Sequence, residues 1–187
     1  MNQGSYFNNQ FIIAMPTLAD RNFFHTVTFL CQHNEEGALG IVINRATDMK
    51  LGEIFSQMEI NVTSPTASQQ PVYAGGPVQQ DRGFVIHSRG GDWNATMPIS
   101  DNISLTTSRD ILEAIAAGEG PEHYLIALGY AGWGEGQLEK EFLDNAWLNT
   151  PFSSQILFDT PVSQRWSAAA DQIGININKL TTPAGHG

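Results

Sequence analysis

Through the first half of the chain, apolar residues fall in short runs divided by polar, glycine-rich connectors, and several later stretches carry them at helical spacing. Gln10 to Met15 reads as a buried strand that Pro16 ends, and Asp20 to Phe24 as a turn or a single helical turn. Val27 to His33 and Ala38 to Asn44 form a hairpin across Asn34-Glu35-Glu36-Gly37. Leu51, Ile54, Phe55 and Met58 share one helical face. The segment 61–70, rich in Ser, Thr and Gln, is expected to be a mobile loop. Val72 to Ala74, Gly83 to Ser88 and Ile99 to Leu105 continue the strands.

Thr107 opens a helix with Asp110 at the capping-box position and Gly118 as its stop. His123 to Leu128 is a strand, Gly129 to Gly136 a glycine-rich turn, and Gln137 to Leu148 a helix with Leu138, Phe142, Leu143 and Trp147 inward. Gln155 to Phe158 reads as a short strand. Thr160-Pro161 starts a helix whose stripe is Val162, Trp166, Ala169, Ala170 and Ile173, ended by Gly174. Strands followed by mixed strand and helix predict one α+β or mixed α/β domain over 1–187, with flexible ends at 1–9 and 181–187.

Composition fits a folded globular chain. Its 187 residues are 41% hydrophobic and 15% charged, enough to bury a core without covalent staples. The net charge of -10, from 19 acidic and 9 basic residues with no basic cluster, disfavours direct nucleic-acid binding and anionic membranes. No helix-turn-helix pattern is visible. One cysteine and no export signal point to a reducing, cytoplasmic setting.

The glycine stretch Gly129-Tyr130-Ala131-Gly132-Trp133-Gly134-Glu135-Gly136 has the glycine spacing of a phosphate loop. It places Glu135 where that loop has lysine and Gly136 where it has Ser or Thr. Glu135 and Glu139 suit a helix start and would repel phosphate, so the stretch reads as a packing turn and no cofactor is expected. Trp133, Glu135 and Glu139 are a candidate surface for a protein partner.

Cys31 and His33, two apart in a strand, are either an activated thiolate pair or a buried cysteine beside a solvent-facing histidine; the second is favoured. The histidines His25, His33, His87, His123 and His186 show no metal-ligand spacing, and no metal is expected. Asn44, Arg45, Arg82, His87, Thr106, Thr107 and Ser108 lie at strand ends, where they could converge on a small anionic ligand; the alternative is that they are turn, cap and surface residues.

Several motifs follow one another in order: Phe11-Ile12-Ile13-Ala14-Met15-Pro16, Gly40-Ile41-Val42-Ile43-Asn44-Arg45, Gly75-Gly76-Pro77-Val78 and Arg82-Gly83-Phe84-Val85-Ile86-His87. Leu105-Thr106-Thr107-Ser108, Gly129 to Glu139, Ile156-Leu157-Phe158-Asp159 and Arg165-Trp166 complete the series. Together they resemble the AlgH/YqgE family of bacterial proteins over nearly the whole chain. The resemblance implies a single α/β domain with a complex, partly barrel-like sheet flanked by helices. It supplies no catalytic residues. The function expected is non-enzymatic, regulatory or partner-binding. The alternatives are a small-molecule binder or enzyme using the Arg45, Arg82 and His87 group, and a DNA-binding regulator, which the charge disfavours.

Overall fold

The computed structural model describes residues 6–15, 23 and 25–175. Its contacts divide the chain into two compact units, Met1–Asn44 with Ala131–Gly187, and Arg45–Tyr130. The expected turn at 20–24 falls largely outside the described residues, as do 1–5 and 176–187.

The first unit is built on antiparallel strands. β1 (Gln10–Ala14) lies between β10 (Trp147–Pro151) and β2 (Val27–Asn34); β2 pairs β3 (Gly37–Val42), which pairs the end of β9 (Tyr124–Trp133). Phe11, Ile12 and Ile13 are all fully buried, so β1 has core on both faces, as its unbroken apolar run requires. On one face Ile12, Leu30, Ala131, Trp133, Leu138 and Trp147 pack together. Here α4 (Gln137–Leu143) contributes Leu138. On the other, Phe11, Phe29 and Phe152 pack ring to ring. The hydroxyl of Thr150 ties β10 to α5 (Arg165–Asp171) by donating to the Ala169 carbonyl, 3.0 Å.

The second unit has the order β4 (Ala46–Lys50), β5 (Pro71–Ala74), β9, β6 (Val78–Ser88), β8 (Ile103–Thr106), β7 (Thr96–Pro98). β5 runs parallel to β9 and the other pairs are antiparallel, so the sheet is mixed. Val72, Val85 and Ile126 pack against α1 (Leu51–Gln57), α2 (Pro65–Ser68) and α3 (Arg109–Ala116) through Leu51, Phe55, Ala67, Ile111 and Ile115. The mixed α+β class and the complex, helix-flanked sheet expected from the sequence are present.

Local corrections have local causes. The segment 61–70 is not a bare loop, because Thr63 and Ser64 N–H both donate to the Ala116 carbonyl at the end of α3, and α2 buries Ala67. Ile99 to Leu105 is not one strand: residues 99–102 turn the chain between β7 and β8, with the Ser100 hydroxyl accepting from Asn102 and Ile103 N–H, and only Ile103 to Leu105 is strand. Residues 129–133 are strand, and the turn begins only at Gly134. The predicted helix from Gln137 to Leu148 stops at Leu143, with Asn145 at φ 63°, and Trp147 opens β10. Leu143 is 83% exposed instead of inward. Gln155–Asp159 is a wide helical turn and not a strand, held by Thr160 N–H and Oγ1 donating to the Gln155 carbonyl. The expected helix from Thr160-Pro161 becomes a tight 3-10 turn at Val162–Gln164 followed by α5, whose stripe residues Ala169 and Ala170 are buried, while Ile173 lies past its end and is exposed.

Candidate functional site

The second unit holds a cavity of about 430 Å³. Its floor is apolar: Val85 of β6, Ile126 and Leu128 of β9, Ile54 of α1 and Leu112 of α3 come from periodic core positions, and Met49 and Met58 add flexible thioethers. Gln57, Gln80, Asp81 and Arg109 form a polar, exposed rim, with Thr106, Thr107 and Ser108 along one wall. Arg109 is the cation of that rim, and its Nε already pairs with Glu113 at 2.9 Å.

The wall is set by the junction of β8 and α3. Ser108, the residue before α3, donates its hydroxyl to Asp110 Oδ1 at 2.5 Å and accepts from Ala95 N–H at 3.0 Å. Asp110 Oδ2 accepts from Asn94 N–H at 2.8 Å. These first-turn polar residues therefore clasp the loop before β7 instead of serving only their own helix. Behind Thr106 lies His87, which is buried, with Nε2 2.7 Å from Thr106 Oγ1 and Nδ1 2.8 Å from the Ser88 carbonyl oxygen. Burial holds its pKa below the usual imidazole range, partly offset by that carbonyl.

Of the strand-end residues, Thr106, Thr107 and Ser108 thus converge on the cavity and His87 stands directly behind it. Arg82 does not line it: it sits on the exposed, bulged part of β6, over the Phe84 ring at 5.4 Å, with Nη1 3.3 Å from Gln79 Oε1. Nor does Arg45, whose carbonyl accepts from Ala74 N–H beside β5. Asn44 belongs to the first unit, where its amide accepts from Val27 N–H and donates to the His25 carbonyl, both 2.9 Å. Within the second unit, neither Arg45 nor Arg82 lines the cavity.

The first unit corrects two further expectations. Trp133 is buried, and its indole N–H donates to Glu141 at 2.9 Å, so it offers no partner surface; Glu135 is exposed, and Glu139 is half-buried with Oε2 3.3 Å from His33 Nε2. His33 does not face solvent: it is buried, accepting from Phe7 N–H at 2.9 Å and stacked on the Phe7 ring. Burial drives the Cys31 thiol far above its ordinary range, and Sγ lies 3.7 Å from the Phe29 carbonyl oxygen, so the thiolate needed for nucleophilic chemistry is disfavoured. Among the described residues no three His, Cys, Asp or Glu side chains are grouped to hold a metal ion.

The AlgH-like DUF179 family model matches residues 11–178. The chain belongs to that family. It is 55% identical over 186 residues, covering 100% of both chains, to a UPF0301 protein of Thioalkalivibrio sulfidiphilus. It is 52% identical to one of Pseudomonas entomophila, covering 97% of this chain and 96% of that one. The solution structure of the AlgH protein from Pseudomonas aeruginosa is similar at TM-score 0.81 and 49% identity, with 100% of each chain covered. A Corynebacterium diphtheriae protein of 18% identity shares the fold, with TM-score 0.74 over 98% of this chain and 95% of that one. Among the described residues no helix is long and apolar enough to cross a membrane.

Sequence reasoning missed the family member's cavity floor. Met49 and Met58 flank α1, while Leu112, Ile126 and Leu128 occupy periodic core positions on other elements; nothing in their spacing marks a void. The weak signal was a pair of methionines bracketing one short helix.

Proposed function

We propose that the protein is a non-enzymatic, cytoplasmic binding protein that takes an uncharged, mainly apolar small molecule in the cavity of its second unit and acts in a regulatory role. The observation that carries this reading is the cavity itself: about 430 Å³, floored by core aliphatics and two methionines, with polar groups confined to rim and wall. Volumes of roughly 300–1,000 Å³ with apolar floors and a few polar groups are typical of small-molecule sites. The lining supports binding over catalysis. Asp81 and Arg109 stand on its exposed rim, and the His87 ring is engaged with Thr106 and the Ser88 carbonyl. The net charge of -10 supports regulation through a ligand instead of through DNA contact.

Thermal unfolding against neutral medium-chain alcohols and amides, nucleotides and divalent metals tests this. A ligand at about a hundred times its dissociation constant adds roughly 2.7 kcal/mol of stability. The aliphatic compounds are expected to raise the midpoint, and Met58→Glu to abolish the rise. Stabilisation by nucleotides or metals with none from the aliphatic set would overturn the reading.

A further inference from the structure

The wall of the cavity contains a hydrogen-bond chain whose protons can be counted. Beyond the Ser88 carbonyl, His87 and Thr106, Thr106 Oγ1 lies 2.8 Å from Thr96 Oγ1, and Thr96 Oγ1 lies 3.0 Å from the Trp93 carbonyl oxygen. Both ends are carbonyl oxygens, which only accept, so the four contacts need four protons. A neutral imidazole and two hydroxyls bring three; an imidazolium brings the fourth.

The shortage falls on Thr96. With His87 neutral and its Nδ1–H donating to Ser88, Thr106 must donate to Nε2. Thr96 is then left with one proton for two acceptors, Thr106 Oγ1 and the Trp93 carbonyl. Protonation reverses the chain: Nε2–H donates to Thr106, Thr106 to Thr96, and Thr96 to Trp93. The other neutral tautomer completes the outer contacts only by setting the Nδ1 lone pair against the Ser88 oxygen at 2.8 Å.

We propose that His87 is a proton switch for the loop carrying Trp93: uptake of one proton ties the Trp93 carbonyl into the β7–β8 chain, and loss of it sets that tie in competition with the Thr96–Thr106 contact for a single proton. As regulation of ligand binding, this rests on the reading of the cavity given above. Thr106 and Ser108 line the cavity, Ala95 N–H is held by Ser108, and Trp93 packs against the same core and edge-on to the His87 ring at 5.3 Å. The proton therefore changes one of the ties that hold this loop to the wall.

Burial opposes the charged ring, so the switch works on the acidic side of the ordinary imidazole range near 6.5. Among the described residues no carboxylate pairs with the His87 ring. The titratable and charged groups brought to this region by neighbouring elements are Tyr124 on β9, its register partner, Arg109 and Asp110 on α3, and Arg89, Asp92 and His123 in flanking loops. Asp110 is occupied by Ser108 and Asn94, and burial raises the Tyr124 pKa, keeping it neutral.

The test is an NMR titration of the His87 ring nitrogens and the Trp93 carbonyl carbon in the full chain, wild type and Thr96→Val. Removing the Thr96 hydroxyl leaves the neutral chain fully bonded and orphans a Thr106 proton when His87 is charged. The His87 midpoint is expected to fall by about 0.5–1 pH unit, a hydrogen bond's worth. In the wild type the Trp93 carbonyl should move with the His87 midpoint. A Thr96→Val midpoint equal to wild type, a Trp93 carbonyl indifferent to His87, or no His87 titration before acid unfolding would each overturn the switch. Binding of the neutral fluorophore N-phenyl-1-naphthylamine, measured separately, keeps the two readings apart: the expected titrations without probe binding sink the ligand reading alone, and probe binding with an unchanged Thr96→Val midpoint sinks the switch alone.

Discussion

Glu141 holds two indoles with one carboxylate. Trp133 Nε1–H and Trp147 Nε1–H both donate to Oε1, at 2.9 and 2.8 Å, while Gln137 donates to Oε2 at 3.0 Å. Because both tryptophans are buried, Glu141→Ala would strand two N–H groups and should cost about 2–4 kcal/mol in urea unfolding. Glu141→Gln keeps an acceptor oxygen and should recover about half of that loss. Cys31 is buried with its thiol pKa pushed up, so a thiol-reactive dye should label it only at the rate of unfolding. His25 and His87 are both held below the ordinary imidazole range by burial. The unfolded chain therefore takes up protons first as pH falls through about 6.5, and stability, unaffected above that value, should decline below it. His87→Gln should flatten part of that decline.

At the scale of elements, glycine identity misleads where glycine geometry decides. Gly129 has φ 82° inside β9, and a Cβ there would lie 2.4 Å from the Gly76 carbonyl oxygen; Gly136, at φ 73° before α4, has open space around it. Gly129→Ala should thus cost at least about 2–3 kcal/mol in denaturant unfolding, and Gly136→Ala only about 1 kcal/mol, the backbone term alone. The sequence made the β2–β3 hairpin legible through its turn at Asn34 to Gly37, α1 through Leu51, Ile54, Phe55 and Met58 at helical spacing, and α3 through its stop at Gly118. It hid the length of β9, since glycines at 129, 132 and 134 imitate a turn. In the structure these residues alternate as a strand does: Gly129, Ala131 and Trp133 are buried, while Tyr130 and Gly132 are not. The sequence hid the break between α4 and β10 because Leu143 and Trp147 keep helical spacing across Asn145, whose left-handed backbone ends the helix.

For the whole molecule, charge and family were readable from the chain, whereas a cavity depends on what packing leaves empty. Thr106, Thr107 and Ser108 were visible as a strand end running into a helix cap, and they do line the wall. Arg45 and Arg82 were grouped with them by chemistry, but neither lines the cavity. The floor comes from aliphatics that look like any other core residues. Binding of an uncharged apolar ligand in that cavity is best tested by methyl NMR of the methionines during titration with 1-octanol. The Met49 and Met58 signals should shift saturably while Met15 and Met97, which do not line the cavity, stay in place. Uniform drift of all four, or silence at Met49 and Met58 up to the solubility limit, would contradict the account.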